Sequence, residues 1–466
     1  MVGKSRKTWG GYGFHHHGGG DTDVAGFCLC EVSGAEAVLC HGAGALERMW
    51  SATRLDGLFG ETAVVQNERE LLFSQLVEWI GRVVTRVDRS VLKSYESWKD
   101  EQNVSDQAVY DKLQGIETCV SQALVRDSFR EARAVLEQLK VLDKSWMRGR
   151  QTKILDGNHW QATQHRIEEL RTIWDAPLPG TALVVWDQMT QLVSDVFLTE
   201  DGHAQERSLI AEVLETVTKD DLWIMDRNFC TLKFLFGIWA KNARFVARQH
   251  GQWKGEFLGK PRLKGTTERG EKVYEQQLQF TFQGHTRNVR RITVKLSQPM
   301  RDGSTELHIL MNLPPREAPA MQVADLYQKR WTIETVFLQL KTALQCEINT
   351  LGYPKAALFT FCVALLLQNT LSMLLGSRCA RGRGRGVRFR RRAGRRTSQH
   401  PRRNAGGDQS RTLAHLLQNV PDPVREHPAV PRQNHRPGPL PKVRPRPEAA
   451  RPETHRLPQR RPRLDP

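Results

Sequence analysis

Four side chains in the last third of the chain have types and a spacing that could bind metal ions or phosphate groups. Tyr327, Arg330, Glu334 and Lys341 follow the pattern Y-x2-R-x3-E-x6-K. At about 100° per residue of helix, they fall within one stripe roughly 60° wide. Such a stripe makes a poor core face. It is either a solvated face with an Arg330–Glu334 ion pair at i,i+4 or part of a site.

Two further acids come at the ends of predicted strands, and they favour the second interpretation. Asp156 follows the short predicted strand Lys153-Ile154-Leu155, and Asp226 ends the strand predicted from Leu222. With Glu334 they make an oxygen-rich set of ligands of the kind that Mg²⁺ prefers. Two such ions about 4 Å apart could activate a water or a 3′-hydroxyl and stabilise the leaving oxygen of a phosphodiester.

Other acids compete for these roles. Asp187 also ends a predicted strand, and its alternative role is that of an acid in a hairpin turn. We prefer Asp156 as the first acid because the first strand of the core should precede the hairpin that Ala182–Leu198 supplies. His203 and Glu206 stand at the start of a predicted helix, where helix capping and surface polarity account for them better than catalysis does.

These motifs resemble those of bacterial DDE transposases of the IS-four (Tn-five-like) group. The signature Y-x2-R-x3-E-x6-K is met in full. The stretch Leu-Trp-Ile-Met-Asp-Arg-Asn-Phe at 222–229 looks like the second-Asp motif of the group, and Ile-Leu-Asp-Gly at 154–157 looks like its first-Asp strand. The resemblance covers about residues 46–375. It implies an RNase H-like catalytic core interrupted by a β-rich insertion.

The resemblance also implies roles for individual residues. Asp156, Asp226 and Glu334 would be the catalytic residues and the ligands of two Mg²⁺ (or Mn²⁺) ions. Tyr327, Arg330 and Lys341 would contact DNA phosphates, for which cations and a hydroxyl donor are suited. Arg227 is either a further phosphate contact or a structural ion pair. The implied partners are transposon-end DNA, target DNA and a second copy of the chain in a homodimeric synaptic complex.

The order of predicted elements indicates an α/β fold with a helical N-terminal domain and a disordered C-terminal tail. Residues 250–315 hold short alternating segments bounded by glycines, which predicts a β-rich insertion. The predicted segments are a disordered N-terminus at 1–45, a helical domain for DNA-end contact or assembly at 46–150, the first part of the core at 151–249, the insertion at 250–315, the second part of the core at 316–376 and the tail at 377–466.

The net charge of +18 lies entirely in the tail. Residues 377–466 hold 24 Lys or Arg against six Asp or Glu, whereas residues 1–376 hold 45 of each. The tail also has 14 of the 22 prolines and one aromatic residue, so it cannot bury enough apolar surface to fold. Its composition raises the alternative of a reading-frame shift near residue 376. Charge alone therefore says little about the body of the chain.

Three functional interpretations follow from these observations. The first is a DNA transposase that hydrolyses and transfers strands at the ends of an insertion sequence. The second is a related metal-dependent nuclease. The third is a degenerate, inactive copy that only binds nucleic acid through its basic tail. Scattered cysteines favour a reducing compartment. The resemblance to bacterial transposases implies a bacterial cytoplasm with nucleoid association. The apolar stretch 356–375 is predicted to be a buried helix and not a membrane span.

Overall fold

The structure is a computed structural model that describes most of the chain between its two terminal segments. Nearly all of the predicted disordered N-terminus and nearly all of the tail lie outside the described residues. The described residues are 44, 46–66, 70–99, 104–159, 180–201, 204–251, 255–300, 303–342, 344, 346 and 353–384.

The N-terminal part of the fold is helical, as the sequence predicts. Ser105 caps one of its helices by accepting a hydrogen bond from the backbone N–H of Ala108 at 3.2 Å, and that helix ends at Gly115. The sequence predicts Asp106 or Ser105 as the N-cap and Gly115 as a break, and both features agree with it. The helices are α1 (Ala52–Thr62), α2 (Phe73–Val84), α3 (Val91–Glu96), α4 (Asp106–Gly115) and α5 (Thr118–Gln138).

A nine-stranded mixed sheet follows, in the order β3-β2-β1-β4-β5-β9-β8-β7-β6. Strands β1, β4 and β5 are parallel to one another, and the remaining neighbours are antiparallel. The strands are β1 (Gln151–His159), β2 (Thr181–Asp187), β3 (Leu192–Thr199), β4 (Asp221–Met225), β5 (Arg244–Arg248), β6 (Glu256–Thr266), β7 (Lys272–Phe282), β8 (His285–Lys295) and β9 (Glu306–Met311).

The central strands are buried on both faces, which explains why they are nearly continuous apolar runs. Side chains alternate between two hydrophobic clusters along each strand. Ile154 and Ile224 face the front cluster with α5 and the last helix, whereas Leu155 and Met225 face the back cluster. Two helices cover the back face: α6 (Ile210–Thr216), preceded by a 3₁₀ turn at Glu206–Leu209, and α7 (Leu232–Ala240).

The β-rich segment continues the same sheet through the pairing of β9 with β5. The sequence indicates β7, β8 and β9 but not β6. Strand β6 forms the outer edge of the sheet, is almost wholly exposed and contains Pro261. An edge strand needs no apolar alternation and tolerates proline, so its sequence carries little strand signal.

The helix that bears the four-residue motif is interrupted. A single long helix is predicted from Val323 to Leu344, but the structure contradicts that continuity. It has α8 (Ala320–Gln328), a 3₁₀ turn at Lys329–Trp331 and α9 (Thr332–Thr342). The tighter turn falls on Arg330 itself, and Tyr327, Arg330 and Glu334 still reach the same polar cluster.

The last described helix, α10 (Pro354–Gly384), packs against α5, α2 and β3. Of the described helices, the part at Pro354–Ser377 is long and apolar enough to cross a membrane, yet 78% of its most apolar window is buried inside the protein. This burial agrees with the predicted core helix. The helix also continues eight residues beyond the predicted end of the body at 376.

Candidate active site

The first two acids lie side by side on neighbouring parallel strands. Leu155 of β1 is paired with Met225 of β4, so Asp156 and Asp226 are the next residues in the same register. Neighbouring strands lie about 4.8 Å apart, and paired residues of parallel strands project to the same face. Because Leu155 and Met225 face the back cluster, both acids project to the front of the sheet.

The sequence predicts that Asp156 ends its strand, but this prediction is wrong because β1 continues to His159. Strand β4 stops at Met225, and Asp226 is the first residue after it. Asp187 is paired with Lys153 near the other end of β1. It accepts hydrogen bonds from the backbone N–H and hydroxyl of Thr190 at 2.9 and 2.7 Å. Asp187 is therefore a buried turn acid.

Two side chains of the motif, Tyr327 and Arg330, contact the three acids. Arg330 donates to Asp156 Oδ2 at 3.0 Å and to Glu334 Oε1 at 2.7 Å, so its guanidinium joins the first and third carboxylates. Tyr327 donates its hydroxyl to Asp226 Oδ1 at 3.2 Å. Residues that the chain separates by 174 and 101 positions are thus joined in one polar cluster.

Burial shapes the electrostatics of this cluster. It raises the pKa of Asp156 to about 6, partly offset by Arg330 and the Gly157 N–H, and the charges of Asp226 and Glu334 add to the rise. Burial also raises the pKa of Tyr327, with Asp226 adding to the effect, so the phenol stays protonated and keeps donating. Burial lowers the pKa of Arg330, but its acidic neighbours outweigh that and raise it overall.

The structure says less about the other two predicted DNA-binding residues, Lys341 and Arg227. Lys341 lies near the end of α9, and its side chain is outside the described part of the chain. Arg227 is exposed and begins the 3₁₀ turn Arg227–Phe229 directly after Asp226. His203 lies outside the described residues.

Asn228 and Arg248 were not singled out from the sequence, where Glu206 was attributed to helix capping and surface polarity, yet all three lie around the cluster. Glu206, Asn228 and Arg248 flank it from the first turn before α6, from the turn after β4 and from the end of β5. Arg248 lowers the pKa of Tyr327 electrostatically. A signal for Arg248 existed, because it ends the third parallel strand at the same edge of the sheet. Glu206 and Asn228 meet only across the back of the sheet, and no spacing in the sequence indicates that contact.

The donor chemistry of the cluster suits a hard divalent cation. Asp156, Asp226 and Glu334 offer only carboxylate oxygens, the ligands that Mg²⁺ and Mn²⁺ prefer. In this structure the carboxylates of Asp156 and Glu334 accept hydrogen bonds from the Arg330 guanidinium. Among the described residues, no group of three His, Cys, Asp or Glu side chains is arranged to hold a metal ion. Glu334 is 53% exposed, whereas the Arg330 side chain is 9% exposed. The residues therefore fit a metal once the Arg330 contacts are exchanged.

The comparison with known families agrees with this geometry. Residues 147–367 match the family model described as the transposase DDE domain. This part of the chain is similar to a DDE transposase. The matched span is just under half of the chain, and it contains Asp156, Asp226, Tyr327, Arg330 and Glu334. The match supports transposase function, with DNA transposition and recombination as the process. No curated protein matches the chain.

Proposed function

We propose that this chain is a DDE transposase with an RNase H-like catalytic core, acting at the ends of an insertion sequence. One observation carries the proposal: Arg330 joins Asp156 to Glu334 while Tyr327 holds Asp226. The acids and the Y-x2-R-x3-E motif converge on one edge of a mixed sheet, inside the span that matches a transposase DDE domain. The membership of the IS-four group is proposed from the motif alone.

Asp156, Asp226 and Glu334 would hold the divalent ions, Mg²⁺ or Mn²⁺, two in number. When bound, such ions activate an oxygen nucleophile and stabilise the leaving oxygen of a phosphodiester. The protein fixes the positions of the carboxylates. Strands β1 and β4 set the spacing of the two aspartates, and Tyr327 holds Asp226 through a phenol that burial keeps protonated.

Arg330 has a second role in this proposal. Its Nε–H is buried and has no acceptor within the described part of the chain. With Asp156 and Glu334 engaged as metal ligands, the Arg330 guanidinium would be free to donate to a DNA phosphate, which matches its planar fork. Lys341 would add a further phosphate contact near the cleavage point, and so would Arg227, which is exposed just after β4.

The partners are transposon-end and target DNA, and by the same resemblance a second copy of the chain in a synaptic complex. The site of action that we propose is the nucleoid in a bacterial cytoplasm. The helices α1–α5 would contact end DNA or help assembly. They share one hydrophobic cluster with α10 and the front of the sheet, the face to which the acids project.

The test is an assay on DNA that carries the termini of the element, with labelled strands and with Mg²⁺ supplied or chelated. A transposase nicks the termini and then joins the freed 3′ ends to a target duplex. Cleavage without joining would favour the nuclease alternative. Binding without Mg²⁺-dependent cleavage would favour the degenerate copy.

A further inference from the structure

Glu206 lies directly behind the first two acids, on the opposite face of the sheet. Side chains alternate along β1, so Gly157 faces the back cluster while Asp156 faces the front. The 3₁₀ turn that begins at Glu206 belongs to that back face, since Leu209 is part of the back cluster. The Glu206 carboxylate is half-buried there.

Gly157 makes room for that carboxylate. A Cβ added at residue 157 would overlap the Oε1 and Cδ atoms of Glu206. The glycine next to Asp156 is therefore the point where Glu206 reaches the backbone of β1. Any other residue at this position would push the carboxylate away, and only the flexible end of one side chain would have to move.

The same carboxylate also holds the turn that follows Asp226. The Asn228 side-chain amide donates to Glu206 Oε2, and Arg207 Nε donates to the backbone carbonyl of Asn228 at 2.7 Å. The next residue, Phe229, is buried in the back cluster. Asn228 is thus held at its side chain and at its backbone by two consecutive residues of a different element.

We propose that Glu206 is a positioning residue for the Asp156–Asp226 pair. One carboxylate touches the backbone beside Asp156 and the turn beside Asp226, so it links the two strands at the point where their acids must keep a fixed separation. The inference rests on the proposed function for the reaction itself. Since β1 lies between Glu206 and the front face, the carboxylate acts through the backbone and not as a metal ligand.

The test compares Glu206→Ala with Glu206→Gln in the full chain. Glutamine keeps the volume and an oxygen that accepts from Asn228, whereas alanine removes both. We expect Glu206→Ala to lower kcat for Mg²⁺-dependent cleavage by about 10- to 100-fold with KM for DNA unchanged, as for outer residues that orient ligands. Glu206→Gln should stay close to wild type.

A double-mutant cycle that combines Glu206→Ala with Asn228→Ala tests whether Glu206 acts through its hydrogen bond with Asn228. If Glu206 acts through Asn228, the double variant should be no worse than the poorer single variant. Gly157→Ala gives an independent test, because it displaces the carboxylate without removing it, and it should lower kcat to a similar extent. The matched control is Glu215→Ala, an exposed glutamate on α6, which should not change kcat.

Three results would overturn the proposal: wild-type kcat in Glu206→Ala, a loss in Glu206→Gln as large as in alanine, or additive losses in the cycle. If Glu206→Ala does not fold, Gly157→Ala decides. If the wild type itself cleaves no DNA, the proposed function fails, and calorimetric titration with Mn²⁺ still tests Glu206. The alanine variant should then bind Mn²⁺ about 10-fold more weakly and the glutamine variant normally; equal affinities would refute the positioning role.

Discussion

Arg330 is the counter-ion that links two carboxylates of the acidic cluster, Asp156 and Glu334. Its two donors neutralise parts of Asp156 and Glu334 at 3.0 and 2.7 Å, yet the pKa of Asp156 remains raised to about 6. From an ordinary value of 3.8, this rise corresponds to about 3 kcal/mol of unfavourable free energy for the ionised form. A divalent cation at the same carboxylates would offset that free energy.

The raised pKa of Asp156 predicts a pH-dependent response to metal. Below pH 6 the folded protein holds a proton on Asp156, and above it the carboxylate is ionised and ready to bind a cation. In the metal-free protein, the contribution of this group to stability falls as pH rises from about 4 to about 6, since the folded state binds the extra proton. We expect Mg²⁺ to raise the melting temperature more at pH 8 than at pH 5.

Thermal unfolding monitored by calorimetry, with Mg²⁺ or with chelator, checks this expectation. In Asp156→Asn the difference between the two pH values should disappear. An equal Mg²⁺ effect at pH 5 and pH 8 in the wild type would show that Asp156 does not take part in binding.

The residues of the site differ in how well the sequence could indicate them. Arg330 and Glu334 share one helical stripe, and Asp156 and Asp226 each fall at or near the end of an apolar run, so local patterns suffice for them. Glu206 is different, because its importance comes from the absence of a side chain at Gly157 on another element. Only the three-dimensional packing of the turn before α6 against β1 brings them together.

At the scale of elements, α10 is the helix that fixes the other edge of the sheet. Asn369 is fully buried, and its side chain accepts from the Val193 N–H at 2.8 Å and donates to the Val193 carbonyl at 2.9 Å. It also donates to Ser128 on α5 at 2.9 Å. A single amide thus joins α10, α5 and the edge strand β3.

Replacement of Asn369 by leucine should therefore destabilise the protein by about 2–4 kcal/mol, because the Val193 backbone groups would be buried without partners. Urea unfolding followed by circular dichroism measures the change. Ser372→Ala, a half-buried position on the same helix, is the control and should cost less than about 0.5 kcal/mol. A comparable effect of both substitutions would mean that the amide does not anchor β3.

Helix and strand boundaries can be predicted from the sequence only where local residue patterns, and not tertiary contacts, determine them. The central strands were predictable from their apolar runs, and α4 was predictable from its N-cap at Ser105. The 3₁₀ turn at Lys329–Trp331 was not, because its residues fit a continuous helical pattern and only tertiary contacts of Arg330 select the tighter turn. Strand β6 was missed because its pairing with β7 is made by backbone groups at an exposed edge.

Across the whole molecule, the excess positive charge, which favours non-specific DNA binding, lies apart from the residues proposed for catalysis. Residues 385–466 contain 21 Lys or Arg against six Asp or Glu, whereas residues 1–376 are formally neutral. Non-specific affinity for DNA follows the number of phosphates that a protein neutralises and falls steeply with salt. The proposed chemistry depends on a few placed residues in the body.

A chain that ends at Gly384 should therefore bind random DNA more weakly and with a shallower salt dependence than the full chain. Its Mg²⁺-dependent cleavage of the termini at low salt should persist. Filter binding across a salt series and the cleavage assay measure the two properties separately. Loss of all specific binding and cleavage in the shorter chain would favour the alternative in which the tail alone carries function.

The central claim is that Asp156, Asp226 and Glu334 together hold the ions that cleave DNA. The most direct test is Mg²⁺-dependent nicking of the element's own termini by the wild type and by Glu334→Gln. Glutamine keeps the shape of the side chain, and its amide oxygen can still accept from Arg330, but the charge that binds the metal is lost. We expect nicking by the wild type and a loss of at least about 100-fold in the variant, with DNA binding retained. Nicking at the wild-type rate by Glu334→Gln would contradict it.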